Sequence, residues 1–318
     1  MKITPEQMRE NNEHAIRIFY ENDFNLAENL FQQNARDYPS HITYNNLSWF
    51  YYDNDDNKAF RFCRKALHCQ RTATSLRNLR AIIYWGGHFF KPYKLKKMLS
   101  IQKEVMRLSN DPVDAYIMGA LLFHDGQYKD ALGYLKKSCA EIDNKDITKM
   151  QVVYSLCLSY LGSREKAGEI AQKLLDTYLS LYKKNDILLN YDADPVDIVY
   201  MLYCCGDYEQ LCRMKDMLSE HLYAMDPDTF AMILYSFKMV LPVQDYMTFK
   251  TGFIADYFRD IQELYKGSVY RSISRRSKNY LSKIDSGLKP DIPYHPYYPY
   301  RCGFYGCPVH GTPYPAHL

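Results

Sequence analysis

The chain has 318 residues, of which 47% are hydrophobic and 24% are charged, and its formal net charge is +3. This composition excludes a globally disordered chain, because it supplies ample apolar material for a core. The small net charge argues against a general polyanion-binding surface. The first residues lack the apolar core of a signal peptide, and no run of about 18 apolar residues follows. We therefore expect a cytoplasmic protein that does not associate with membranes.

The cysteines support the same compartment. Nine are present, an odd number, and seven of them fall in segments that we predict to be helical. A cysteine in a helix commonly acts as a small buried hydrophobe. The sequence therefore favours free thiols in a reducing compartment over a disulfide framework.

Three helix pairs are predicted in the first 111 residues, over about 8–39, 40–73 and 76–111. In each pair, apolar residues recur at spacings of three and four, which is the pattern of one helix face. The second helix carries the same small or apolar position at Ala27, Ala59 and Leu95 in turn. The third copy has the least regular pattern.

Residues 112–143 give the best-preserved copy of the pattern. Asp111 is a suitable N-cap, and the proline after it sits where a helix tolerates proline, at its first position. Ala115, Met118 and Leu122 then share one face. Gly126 interrupts the run with a residue that readily ends a helix, and a second apolar stripe follows. The stretch predicts two antiparallel helices joined by a short turn.

One position of the second helix sets the register of the repeats, because it falls at residues 27, 59, 95, 131 and 167. The steps between these residues are 32, 36, 36 and 36, and only residue 95 is not alanine. A fifth pair is therefore predicted over about 148–183. Neither helix of a pair can bury its stripe alone, so neighbouring pairs must stack.

The unit 112–143 resembles the tetratricopeptide repeat, a 34-residue helical hairpin. The matching positions are Met118, Gly119, Leu122, Gly126, Gln127, Tyr128, Ala131, Leu135 and Ser138. The sequence departs from the family at Ala115, where a large aromatic residue is usual. The resemblance implies an all-α fold, a right-handed α-α superhelix or solenoid of about six to seven helix pairs.

After residue 183 the period loosens and the organisation changes. We expect tetratricopeptide-like repeats over 1–250, capping helices over 251–286 and a distinct tail over 287–318. The tail is rich in proline and tyrosine, and so many prolines are incompatible with a helix. It is either an extended, polyproline-like chain or a small knot that something other than a core holds together.

The first candidate site is a peptide-binding groove. In tetratricopeptide folds the first helix of each pair lines the concave surface, so the resemblance implies which residues face inward. These are aromatic or histidine residues: Phe19, Tyr20, Tyr51, Tyr52, Tyr84, His88, Tyr116, Phe123, His124, Tyr160, Tyr200 and Tyr203. Such a ladder suits an extended peptide, because rings pack against side chains and hydroxyls reach backbone groups. The alternative is that individual rings pack between neighbouring helices.

The second candidate site is a zinc site in the tail. Four residues separate Cys302 from Cys307, two residues separate Cys307 from His310, and His295 lies upstream. Two thiolates and two imidazoles satisfy tetrahedral zinc. The alternatives are a reversible disulfide between the two cysteines and a tail with two exposed thiols.

A third candidate is a basic helix face formed by Arg271, Arg275 and Lys278. It could contact phosphates or an acidic partner, but a solvated face is the more common explanation of such a run. Nucleic-acid binding usually shows a broader basic bias.

We find none of the usual catalytic motifs, such as a phosphate-binding loop or a metalloprotease signature. The sequence therefore predicts a non-catalytic scaffold or adaptor without a cofactor, which binds another protein or an extended peptide. The proline-rich tail is one candidate occupant of the groove. The alternative function is a regulatory sensor whose Cys/His tail binds zinc or responds to redox state.

Overall fold

The computed structural model describes residues 3–85, 92–141, 147–183, 195–215, 226–299, 301–310 and 313–315. In these ranges the regular secondary structure is α-helical throughout. The chain divides into two compact units. Unit 1 comprises Met1–Asp125 and Tyr298–Leu318, and unit 2 comprises Gly126–Tyr297.

Unit 1 contains seven described helices, α1 (Pro5–Tyr20), α2 (Phe24–Asp37), α3 (His41–Phe50), α4 (Asp56–Cys69), α5 (Ala73–Trp85), α6 (Pro92–Leu108) and α7 (Pro112–His124). Each helix packs against the next along the chain, and the most extensive contacts join α1 to α2, α3 to α4 and α5 to α6. These are the helix pairs that the sequence predicts.

Unit 2 contains eight described helices, α8 (Tyr128–Glu141), α9 (Ile147–Tyr160), α10 (Arg164–Lys183), α11 (Pro195–Cys205), α12 (Tyr208–Arg213), α13 (Pro227–Val240), α14 (Val243–Leu264) and α15 (Gly267–Asp285). Successive helices from α8 to α13 pack against each other, and α14 and α15 pack on α13 and on one another. The predicted all-α fold of stacked helix pairs is thus confirmed.

Local sequence explains where the helices begin and end. The carboxylate of Asp111 accepts a hydrogen bond from the backbone N–H of Val113, 2.9 Å away, and caps α7 as predicted. The turn between α7 and α8 contains Gly126 at φ +76°, an angle that residues with a Cβ rarely adopt. The predicted hairpin over 112–143 is therefore two helices, with the boundary between the units in its turn.

The predicted register is visible in the burial of the second helices. Ala27, Ala59, Ala131 and Ala167 are completely buried, and Leu95 is almost so. A small residue at this position lets two helix backbones approach closely, which explains why alanine recurs there. The spacing of about 36 residues is therefore a packing requirement repeated along the chain.

The last described helices are α14 and α15, and the tail follows them. The expected start of the capping helices at residue 251 falls inside α14, which begins at Val243 because Pro242 precedes it as the N-cap residue. After Asp285 the described residues form no helix, so the predicted non-helical tail is confirmed. Among the described helices, none is long and apolar enough to span a membrane.

Candidate functional site

The C-terminal segment, defined here as the described residues from 286 to 315, lies mainly on the first helices of the pairs. Within unit 2 its contacts pass from α11 to α9, and within unit 1 from α7 and α5 to α3 and α1. It therefore follows the helices of each unit in reverse order. We use the term first-helix face for this surface in each unit, formed by α1, α3, α5 and α7 in unit 1 and by α9 and α11 in unit 2. It is the surface that the resemblance assigns to peptide binding.

In unit 2, two tyrosines of α11 bind the backbone of the C-terminal segment. The Tyr203 hydroxyl donates to the carbonyl oxygen of Pro290 at 2.8 Å, and the Tyr200 hydroxyl donates to that of Ile292 at 2.7 Å. Burial raises the pKa of both phenols above the ordinary value for tyrosine. Both hydroxyls therefore stay protonated at neutral pH and remain hydrogen-bond donors.

Side chains of the C-terminal segment add further contacts in unit 2. The ammonium group of Lys289 donates to the Tyr203 carbonyl at 2.8 Å and lies 4.2 Å from the centroid of the Tyr203 ring. The Tyr294 hydroxyl donates to Asp197 at 3.2 Å, and the Tyr294 ring lies 4.8 Å from that of Tyr200. The tyrosines of α11 thus contact both the backbone and the side chains of the segment.

In unit 1, three asparagines of α3 and α5 bind the backbone. The side-chain amides of Asn45 and Asn78 donate to the carbonyl oxygen of Gly303 at 2.6 and 3.2 Å. Asn46 pairs with both backbone groups of Tyr305, because its amide donates to the carbonyl at 3.0 Å and its oxygen accepts from the N–H at 2.7 Å. All three asparagines are at most 2% exposed.

These asparagines are functional candidates that sequence reasoning missed. Asn45 and Asn46 interrupt an otherwise apolar stretch of α3, and buried carboxamides need hydrogen-bond partners. Two adjacent asparagines among the apolar residues of α3 were therefore the available signal. The backbone groups that Asn45 and Asn46 bind lie more than 250 residues away along the chain, so nothing near either residue in the sequence indicates its partner.

Aromatic packing makes Phe304, between the two residues that these asparagines bind, a component of the unit 1 core. Phe304 is 1% exposed and stacks on Phe31, with ring centroids 5.4 Å apart and an interplanar angle of 3°. Phe19, predicted to line the groove, packs edge-on against the same ring at 5.4 Å. A Cβ on Gly303 would overlap the Asn78 side chain, so only glycine fits between the segment and α5.

An ion pair joins the segment to the start of α7. Arg301 forms a bidentate pair with Asp111, with one of its two hydrogen bonds 2.9 Å long. Beside it, Arg77 pairs in the same manner with the fully buried Asp114. Burial by itself would raise the pKa of Asp114, but the hydrogen bonds and charge of Arg77 hold that pKa below its ordinary value. Asp114 is therefore ionised at neutral pH.

Several predicted groove residues contact the segment in unit 1. The Tyr84 ring packs edge-on against that of Tyr298 at 5.0 Å, and His124 Nδ1 lies 3.2 Å from the Tyr298 hydroxyl. Tyr52 stacks on Trp49 and lines a cavity of about 50 Å³ beneath Tyr298. Tyr51 instead bonds to Glu28, on the second helix of the preceding pair.

The other predicted groove residues are placed differently. Tyr116 and Phe123 are buried within unit 1. Tyr160 is nearly half exposed, and its hydroxyl lies 3.1 Å from that of Tyr200. His88 lies outside the described residues. A direct role of these four side chains in binding a partner stays a prediction.

Three of the four predicted zinc ligands come together in unit 1. Among the described residues, Cys302, Cys307 and His310 form the cluster of potential metal ligands, and their donor atoms all lie within 4.8 Å of one another. The Tyr20 hydroxyl, predicted to line the groove, lies beside them. Burial raises the pKa of the Cys302 thiol to about 11. Binding of a metal would therefore have to displace its proton.

His295, the fourth predicted ligand, is not part of this cluster. It is an exposed residue of unit 2 in the neighbourhood of Asp228. Burial raises the pKa of that carboxyl, and Asp228 also forms an ion pair with Arg276 at 2.7 Å. The spacing of the sequence thus brings together the two cysteines and the nearer histidine only.

The basic face of α15 is largely exposed. Arg271, Arg275 and Lys278 face solvent, and Lys278 approaches the ring of Phe258 at 5.8 Å. Contact of this face with phosphates or an acidic partner stays a prediction, as does its alternative, a solvated face.

Comparisons with known proteins leave the family open. No model of a protein family matches the sequence, and no curated protein matches it. Among solved structures, one titled "Structure of Naa15/Naa10 bound to HypK-THB" matches with a TM-score of 0.40 and 12% identity. The match covers 89% of this chain and 48% of that chain, so the present chain spans about half of its length. Membership of the tetratricopeptide family therefore stays a prediction.

Proposed function

We propose that this chain is a non-catalytic scaffold that binds another protein, or an extended peptide, on its first-helix face. In the absence of a partner, its own C-terminal segment occupies that face. The aromatic and asparagine side chains of the odd-numbered helices are the binding groups, and the partner replaces contacts that the segment makes.

One observation carries the proposal. Four carbonyl groups of the C-terminal segment accept hydrogen bonds from side chains of first helices, at Pro290, Ile292, Gly303 and Tyr305. Side chains that bind backbone carbonyls recognise an extended chain without demanding one sequence. A face built in this way suits a second polypeptide as well as the segment itself.

Occupation by the segment would control the affinity for a partner. A partner binds only the fraction of molecules whose face is open, so its apparent dissociation constant is the intrinsic value divided by that fraction. Each 1.4 kcal/mol by which the segment favours the closed state weakens partner binding about tenfold. The segment is therefore an inhibitor in cis, and its release is the regulated step.

The test compares substitutions on the two sides of the contact in the full chain. Polypeptides captured from a native lysate are identified and then titrated against purified variants. Lys289→Ala with Tyr294→Ala weakens the binding of the C-terminal segment and leaves the first-helix face itself intact. Tyr200→Phe with Tyr203→Phe removes hydroxyls from the face itself. Lys278→Ala, on the exposed face of α15, is the matched control.

The two sets should have different effects on partner affinity. Segment variants should tighten partner binding several-fold, whereas face variants, which weaken both the segment and the partner, should not. The control should change nothing. If the segment and face variants both leave partner affinity unchanged, the partner binds elsewhere and the proposal is wrong. Thermal unfolding of each variant checks that the fold is retained.

A second candidate function is a sensor whose tail binds zinc or responds to redox state. The observation that favours it is the convergence of Cys302, Cys307 and His310 at the end of the C-terminal segment. Loss of a metal, or oxidation of the thiols, would then alter how firmly the segment is held. The metal content of the purified protein separates this candidate from a simple scaffold.

A further inference from the structure

The Tyr20 hydroxyl completes the geometry of the cysteine and histidine cluster. Its oxygen lies 3.6 Å from Cys307 Sγ, 4.0 Å from Cys302 Sγ and 3.3 Å from His310 Nδ1. Cys307 Sγ and His310 Nδ1 are themselves 3.3 Å apart. Tyr20 belongs to α1, so the fourth group comes from the opposite end of the sequence.

These separations match those of a tetrahedral zinc site. With Zn–S bonds of about 2.3 Å and Zn–N or Zn–O bonds of about 2.0 Å, tetrahedral geometry places neighbouring donor atoms about 3.3–3.8 Å apart. The four separations given above, three from the Tyr20 oxygen and one between Cys307 and His310, lie within a few tenths of an ångström of this range. The donor atoms of Cys302, Cys307 and His310 all lie within 4.8 Å of one another.

The donor set selects the class of metal. Two sulfur atoms and an imidazole nitrogen suit Zn²⁺, whereas Ca²⁺ and Mg²⁺ take oxygen ligands. The interval of four residues between the cysteines is also within the range of zinc sites. Among divalent ions with these ligands, Zn²⁺ additionally accepts a tetrahedral site without a preference imposed by d electrons.

The fold holds the donors in place before any metal arrives. Cys307 is buried in the unit 1 core beside Phe304, and Gly306 turns the chain at φ +73° between the cysteines. His310 is exposed and Tyr20 is 40% exposed, so the cluster has a solvent side through which an ion can enter.

We propose that Cys302, Cys307, His310 and Tyr20 bind one Zn²⁺ ion and thereby fasten the C-terminal segment to α1. On binding, the two thiols and the phenol release protons to solvent, and no oxidant or reductant is needed. The ion cross-links residues 282 positions apart in the sequence. A cross-link over such a distance removes a large part of the freedom of the open state. That it thereby closes the first-helix face rests on the proposed function, whereas metal binding itself does not.

The first test is the metal content of the purified full chain. We expect one zinc per chain, and its loss in His310→Ala and in Cys302→Ser. His310 is exposed and Cys302 partly so, and neither change should unfold the protein. Cys69→Ser, at an exposed cysteine of α4, is the matched control and should keep its zinc. After a chelator has removed the zinc, the protein should also bind Co²⁺ and show the absorption bands of a tetrahedral thiolate site.

A second test isolates Tyr20. Adding Zn²⁺ to the chelated protein should produce the ultraviolet difference spectrum of one deprotonated phenol per chain, and Tyr20→Phe should abolish it. The same variant should weaken zinc affinity by about tenfold or more, since even outer-shell partners are worth roughly 10–100-fold. An unchanged affinity without a phenolate signal would exclude Tyr20 as the fourth ligand.

The outcomes distinguish this inference from the proposed function. A wild-type chain that holds no zinc, and whose Co²⁺ spectrum equals that of Cys302→Ser, overturns the site. A wild-type chain that is lighter by two hydrogens, and in which two cysteines do not react as thiols, contains a disulfide. That result also overturns the site. If zinc binds but chelation leaves partner affinity unchanged, the site stands and its coupling to the first-helix face fails.

Discussion

The two parts of the C-terminal segment are held by different chemistry. On unit 2, residues 289–297 rest on buried tyrosines of α11, and every second residue of the segment from Lys289 to His295 is exposed to solvent. On unit 1, residues 301–310 are bound by buried carboxamides and carry Phe304 into the core. The first part therefore resembles a bound ligand, and the second resembles an element of the fold. This difference implies that the segment opens from its unit 2 part.

The largest effect is expected from Phe304→Ala. Removing a buried aromatic side chain typically costs about 3–5 kcal/mol, and here the cavity would open inside unit 1. Tyr297→Ala, in the unit 2 part of the segment, is the matched comparison and should cost much less. Both tryptophans belong to unit 1, so urea unfolding followed by tryptophan fluorescence reports that unit. Equal losses for the two variants would remove the distinction between core and ligand.

A smaller effect is expected from Tyr200→Phe or Tyr203→Phe. Each change removes one hydrogen bond to the segment, worth about 0.5–1.5 kcal/mol, without creating a cavity. A protease site placed in the exposed turn at 286–288 allows the segment to be cut from the chain and its dissociation measured. Each variant should lower the affinity of the cut segment for the rest of the chain by about fivefold, which corresponds to about 1 kcal/mol.

Tyr134→Phe, at a more exposed position of α8, is the control for these variants and should leave dissociation unchanged. If Tyr200→Phe has as little effect as this control, the unit 2 contacts contribute nothing to closure. The ligand-like character of this part of the segment would then have to be abandoned.

The smallest expected effect is a pH dependence of unit 1. Burial lowers the pKa of His41, whose ring packs edge-on against that of Tyr305 at 5.9 Å. The unfolded chain therefore binds a proton first as the pH falls below about 6.5, and stability present above that pH is lost. The slope cannot exceed about 1.4 kcal/mol per pH unit for one group.

The measurement compares unfolding of unit 1 at neutral and mildly acidic pH in two variants. His41→Gln should reduce the loss of stability between the two conditions. His14→Gln, at an exposed position of α1, should leave it as in the wild type. A loss that is the same in both variants would assign the pH dependence to other groups.

The repeat register could be predicted because its cause is local. Ala27, Ala59, Ala131 and Ala167 are buried at one position of successive second helices, and a spacing of about 36 residues is visible in the sequence. The cysteine and histidine cluster was predictable in part for the same reason. Cys302, Cys307 and His310 are close in sequence, and they are close in space.

The contacts of the C-terminal segment could not be read in the same way. Asn45 and Gly303 are 258 residues apart, and nothing in either neighbourhood specifies the other. Tyr20 joins the cluster across a similar distance, whereas His295, nearer in sequence, does not join it. Pairings of this kind depend on where the chain returns, and a single sequence does not encode that as a pattern.

The place of Phe304 also affects the order in which the protein folds. Synthesis proceeds from the N-terminus, and α1 to α7 leave the ribosome long before residues 301–310. Until those residues arrive, Phe31 and Phe19 lack a ring that belongs to their core, and the amide groups of Asn45 and Asn46 lack the carbonyls to which they donate. The earliest helices thus reach their final packing only after residues 301–310 have been synthesised. A chain truncated before residue 301 should consequently lose stability at its N-terminal helices.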